Sequence, residues 1–163
     1  MAIDFVSIIM QLVTSFMGSK TPEPAPAQAP ATTPVQHISL AELNPHGYPT
    51  DPEIDKNLMI LLDRINQVRN VYGSPMTVTS GLRSDDQQKA LIAVGKSTAT
   101  KSNHLTGSAV DILDENRNLT AWVKANMSLM EQIGMWFEDF DHTPTWVHFQ
   151  ILPPKSGNRV FIP

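Results

Sequence analysis

The sequence predicts a small α+β fold: a small antiparallel sheet packed against helices. Three observations lead there. Residues 52–72 carry apolar side chains at helical spacing over a long uninterrupted run. Residues 109–112 and 146–151 instead alternate, with apolar and polar side chains on opposite sides of an extended chain. Helical signals come first, and helix and strand signals are mixed afterwards, an order typical of α+β domains.

Taken in order, Met1 to Met17 is strongly apolar, with Asp4, Ser7, Gln11 and Thr14 recurring at helical spacing. The run is short for a membrane span, and Asp4 without a preceding Lys or Arg does not suit a secretory signal. Three readings stay open: a helix docking on a protein scaffold or a second copy, attachment to a membrane surface, and an atypical export signal. Residues 18–36 hold TPEPAPAQAPATTPVQ, a Pro/Ala-rich spacer with no apolar period to build a core. The folded head is then residues 37–163.

The head opens with a helical turn over residues 37–43, for which Ser39 is a fitting N-cap. Asp51-Pro52-Glu53 starts the long helix with a cap, a proline in the first turn and an acid against the dipole. Ile54, Leu58, Leu61, Leu62, Ile65, Val68 and Tyr72 form its core face, and Gly73 stops it. Residues 76–80 read as a strand that delivers Arg83 just past its end. Ser84 caps a helix running to about Val94, and a polar loop follows. Residues 120–133 read as one helix ended by Gly134, residues 135–137 as a short strand, and residues 138–144 as an acidic loop bent by Pro144. The tail from Pro153 is irregular, with Val160, Phe161 and Ile162 packing back.

The chemistry concentrates at Ser102-Asn103-His104-Leu105-Thr106-Gly107-Ser108-Ala109-Val110-Asp111. Gly107 permits the tight turn that folds His104 back towards the strand bearing Asp111. An antiparallel pairing with residues 146–151 would set His148 beside Asp111. Two imidazoles and a carboxylate around one point are the protein ligands of a catalytic zinc site. With no cysteine in the chain, any metal must be held by such groups. The expected metal ligands are therefore His104, Asp111 and His148, around one Zn2+. A net charge of -4 leaves no broad basic footprint for nucleic acid.

Ser-x-His-x-x-Gly-x-Ala-x-Asp followed by a distant Trp-x-His resembles the zinc D-alanyl-D-alanine carboxypeptidases and L-alanyl-D-glutamate endopeptidases, the peptidoglycan metallopeptidases that include phage endolysins and vancomycin-resistance dipeptidases. Thr79-Ser80-Gly81-Leu82-Arg83-Ser84 is similar to that family's Ser-Gly-Tyr-Arg-Ser, with Leu82 replacing the aromatic residue. The resemblance spans residues 38 to 152 and implies hydrolysis of an amide bond in the peptide part of the bacterial cell wall. It implies a catalytic or substrate-binding role for Arg83; the alternative is an ion pair with Asp85 or Asp86. Many members carry an acid three residues before the last histidine, where this chain has Thr145. Threonine cannot serve as the general base. The expected replacement is Asp141, with Glu138 and His142 as substitutes. Ser102 and Trp146 are further candidate substrate contacts.

The expected setting is the cell wall, reached from a periplasmic, extracellular or virion-associated position, with residues 1–17 on a scaffold or membrane surface. A rival reading keeps the fold as a non-catalytic wall-binding or structural virion module.

Overall fold

The computed structural model describes residues 37–163; the expected helix at residues 1–17 and the spacer at 18–36 lie outside the described residues. Among the described residues, five α-helices, a 3₁₀ turn and a five-stranded sheet follow one another. In chain order they are α1 (Leu40–Leu43), α2 (Pro52–Tyr72), β1 (Val78–Ser80), α3 (Asp85–Ala93), the 3₁₀ turn Asn103–Thr106 and β2 (Ala109–Leu113). The remainder is α4 (Asn118–Ala125), α5 (Met127–Ile133), β3 (Trp136–Glu138), β4 (Trp146–Gln150) and β5 (Val160–Phe161). The class is α+β, as the sequence predicts.

Helix α2 spans the predicted residues because both ends are chemically specified. The Asp51 side chain accepts from the backbone N–H of Glu53 and Ile54, and Gly73 closes the helix in the left-handed region at φ 71°. Leu58, Leu61, Ile65 and Val68 are buried along one stripe. At ~1.5–3 kcal/mol for each such side chain, that stripe contributes on the order of 6–12 kcal/mol before conformational entropy is counted. Helix α1 is held by a capping box between Ser39 and Glu42. It docks on α2 through Asn66, which donates to the Ile38 carbonyl (2.9 Å) and accepts from the Ile38 N–H (2.8 Å).

The strand order is β1-β2-β4-β3-β5. β2 and β4 are antiparallel and pair Val110 with Phe149, Asp111 with His148, and Ile112 with Val147. Because side chains alternate, Val110, Ile112, Val147, Phe149 and Phe137 share the core face, where Phe137 meets Phe149 edge-on at 5.2 Å between ring centroids. Asp111, His148 and Gln150 occupy the opposite face. One strand pattern thus both builds the core and presents the polar groups.

Three expectations need correction. The run from residue 120 to 133 is two helices, broken at Asn126. The Asn126 side chain takes the Trp122 carbonyl (2.8 Å), and its backbone N–H bonds back to Trp122 and Val123. The tail is not wholly irregular, and the sheet is not wholly antiparallel: β5 adds to β3 in parallel, pairing Phe137 with Val160 and Glu138 with Phe161. Arg159 anchors that edge, its guanidinium lying 4.2 Å from the Trp136 ring centroid.

Candidate metal centre

Three elements deliver the cluster. The 3₁₀ turn carries His104 and is closed by Gly107 at φ 68°. A Cβ there would meet the Leu58 side chain at 2.9 Å, so both backbone conformation and packing require glycine. β2 carries Asp111 and β4 carries His148, directly opposed in the ladder. The three side chains are buried, with residue exposures of 2%, 7% and 5% for His104, Asp111 and His148. Each offers one ligand atom, all within 4.8 Å of one another.

The hydrogen bonds fix where protons sit. Asp111 Oδ1 lies 2.8 Å from His148 Nδ1, and Asp111 Oδ2 lies 3.3 Å from His104 Nε2. On its outer side His104 Nδ1 is 2.7 Å from the Gly81 carbonyl, which can only accept. Nδ1 therefore carries the hydrogen, and in the neutral ring Nε2 offers its lone pair inward. His148 Nε2 faces the Gln150 side-chain oxygen at 3.2 Å, which leaves Nδ1 as its inward donor atom. Two lone pairs and a carboxylate crowd one buried point, and only a cation or added protons can satisfy them. Donor atoms of a tetrahedral zinc with bonds of ~2.0–2.1 Å sit roughly 3.3 Å apart. The 2.8 and 3.3 Å separations run to different oxygens of Asp111, and one ligand atom from each of the three residues lies within 4.8 Å of the others, close enough to converge on such an ion. The residues present fit zinc.

The same crowding shifts titration. Burial raises the Asp111 carboxyl, but the charge of His104 and the hydrogen bonds from both imidazoles outweigh it and hold the group far below the usual carboxylate range. Burial lowers His148, and its hydrogen bond to Asp111 with the charges of Asp111 and Glu138 more than offsets that, leaving it above an ordinary histidine.

Arg83 joins the cluster. Its Nη2 pairs with Asp111 Oδ2 at 2.9 Å, Nε donates to Ser80 Oγ at 2.9 Å, and Nη1 donates to the Gln88 side-chain oxygen at 3.2 Å. The alternative ion pair with Asp85 or Asp86 does not form. Burial lowers the Arg83 value while Asp111 and Glu138 counter it. Arg83 also lines a cleft of ≈ 250 Å³ with Tyr48, Pro49, Ile54, Leu82 and Leu105 among its walls. Ser102 Oγ accepts from the His104 N–H at 3.4 Å, capping the 3₁₀ turn. Trp146 is half-buried and pairs with Leu113, two residues before His148.

The acidic segment places Asp141 at the surface. Its side chain is 87% exposed and faces Arg117 at 3.7 Å rather than the cluster. Arg117 also donates to the carbonyls of Phe140 (2.7 Å) and Thr143 (3.2 Å), which fixes the shape of the turn. His142 is held locally by Asp139 at 3.1 Å. Glu138 differs, because it ends β3. With Trp136 opposite Gln150 and Phe137 opposite Phe149, the next step of the register sets Glu138 across from His148. Its charge reaches both His148 and Arg83.

Sequence reasoning passed over Gln88 and Gln150. Gln88 is buried in α3, where it accepts from Arg83 and donates to Ser97 Oγ (2.9 Å) and the Ala99 carbonyl (2.8 Å). Gln150 shares the His148 face of β4, and its place two residues after His148 was the available signal.

The sequence matches the family described as Peptidase M15 over residues 36–148. Among solved structures, the chain is similar to the crystal structure of Serratia marcescens L-Ala D-Glu endopeptidase ChiX, at 21% identity and a TM-score of 0.48. That match covers 71% of this chain and 98% of the other. No curated protein matches the chain.

Proposed function

The chain belongs to the Peptidase M15 family, and from that premise we propose that it is a zinc-dependent peptidase hydrolysing an amide bond in the peptide part of bacterial peptidoglycan. The observation that carries the zinc reading is the buried convergence of His104 Nε2, Asp111 and His148 Nδ1, each imidazole with its other nitrogen already bonded outward. Zinc bound there supplies a Lewis acid that acidifies water and polarises a peptide carbonyl.

The chain's own groups do the rest. Arg83 has five N–H groups, of which three are engaged by Ser80, Gln88 and Asp111. The remaining two are available to the developing oxyanion or to a substrate carboxylate. Glu138, across the ladder from His148, takes the proton of the attacking water and returns it to the departing amine. Ser102 holds the turn that carries His104, and Trp146 walls the end of β4. Residues 1–36 serve as an anchor and spacer that keep the head at a scaffold or membrane surface near the wall.

The test incubates purified protein with peptidoglycan and follows newly released amino groups, before and after chelation and after zinc is returned. Cleavage that persists undiminished without metal would sink the mechanism. Thr145, in place of the family's usual acid, favours a second reading: a wall-binding or virion module without turnover. Bound zinc and wall binding with no released peptide would favour that reading.

A further inference from the structure

Gln150 is buried at the end of β4, and its two ends are assigned by their partners. Its Nε2 donates to the Leu152 carbonyl, which can only accept. The oxygen must then face the other way, where Asn103 Nδ2 lies at 2.9 Å and His148 Nε2 at 3.2 Å. Both neighbours are donors to it. A neutral imidazole has a single N–H, so a hydrogen on Nε2 leaves Nδ1 bare, and Nδ1 lies 2.8 Å from Asp111 Oδ1.

We infer that Gln150, oriented by Asn103 and Leu152, is a positioning residue that holds His148 in the Nε2–H tautomer and so turns Nδ1 towards the cation. The inference rests on the zinc reading above. Without this acceptor, the ring is free to take the other tautomer, whose Nδ1–H would point at the cation and oppose it. Asn103 immediately precedes His104, so the Asn103–Gln150 bond also ties the two histidine-bearing segments together from outside the β2–β4 ladder.

The test uses the full-length protein and zinc alone as the probe. Gln150→Leu removes the acceptor at similar volume. Gln150→Glu keeps a side-chain oxygen towards His148. Chelator competition is expected to give about 10–100-fold weaker zinc binding for Gln150→Leu and near-wild-type binding for Gln150→Glu. In proton–nitrogen NMR of the zinc-loaded wild type, His148 Nε2–H and His104 Nδ1–H each give a slowly exchanging signal. Gln150→Leu is expected to lose the first and keep the second. Should that variant not fold, Asn103→Ala must weaken zinc binding in the same direction. A variant with a lower melting temperature but unchanged zinc affinity and an unchanged His148 signal would overturn the inference alone. Absence of zinc binding by the wild type would remove the zinc reading, and this inference with it.

Discussion

Glu138→Gln tests the proton-transfer assignment most directly. The substitution keeps size and hydrogen-bonding reach and removes only the charge and the basicity. Glu138 is half-buried at the end of a three-residue strand and is not among the three cation-facing groups, so fold and zinc content should persist. Loss of a positioned general base costs about 10²–10⁴-fold in rate. At about 1.4 kcal/mol per decade, this corresponds to a barrier roughly 3–5 kcal/mol higher. The fall should appear in kcat and leave KM little changed. Glu138 also raises His148, so its removal lowers that imidazole's proton affinity. Asp141→Asn is the paired control: its carboxylate faces Arg117 at 3.7 Å, and its activity should stay within about twofold of wild type. The assay is initial-rate release of amino groups from soluble wall peptides, with bound zinc measured on the same samples. Glu138→Gln retaining half the activity, or Asp141→Asn losing as much as Glu138→Gln, would refute the assignment.

Three further outcomes are expected. In the metal-free protein, the raised His148 contributes stability that is full below about pH 6.5 and is lost as pH rises through its folded value. The depressed Asp111 contributes stability present above about pH 3.9 and lost as pH falls through its folded value. Zinc must displace the His148 proton, so the zinc-induced rise in melting temperature should grow from pH 5 to pH 8; a rise independent of pH would contradict the coupling. Gly81→Ala should destabilise by about 2–4 kcal/mol in denaturant titration and weaken zinc binding. The new Cβ would lie 2.1 Å from the Leu43 carbonyl oxygen, breaking the Leu82 N–H bond to that carbonyl and displacing the acceptor of His104. Deleting residues 1–36 should leave the hydrolysis rate on soluble fragments unchanged and reduce retention on intact walls or envelopes in a sedimentation assay; a lost rate on fragments would argue against an anchor.

Much of the site was legible because it rests on local rules. Alternation along residues 109–112 and 146–151 put Asp111 and His148 on one face, and an antiparallel ladder with Asp111 opposite His148 is what forms. Helix α2 was legible from Asp51, Pro52 and Gly73, whose effects reach only a few residues. The break at Asn126 was not legible, since no Pro or Gly marks it and a side-chain bond to the Trp122 carbonyl makes it. Nor was β5, because two residues carry too little pattern to announce a parallel pairing with a distant strand.

The sequence by itself determined the donor types, the turn at Gly107 and the two alternating strands, because backbone sterics and side-chain period act over short spans. Tertiary structure alone decided which acid stands near the cluster, since Glu138 and Asp141 are three residues apart and equally acidic on paper. The register of β3 against β4 turns one towards His148, and Arg117 holds the other at the surface. It likewise decided that Gln150 and the Gly81 carbonyl hold the two imidazoles from behind. The Gly81 carbonyl reaches His104 across 23 residues of chain, and Gln150 is oriented towards His148 by Asn103, 47 residues away, so both arrangements exist only once packing has brought those segments together.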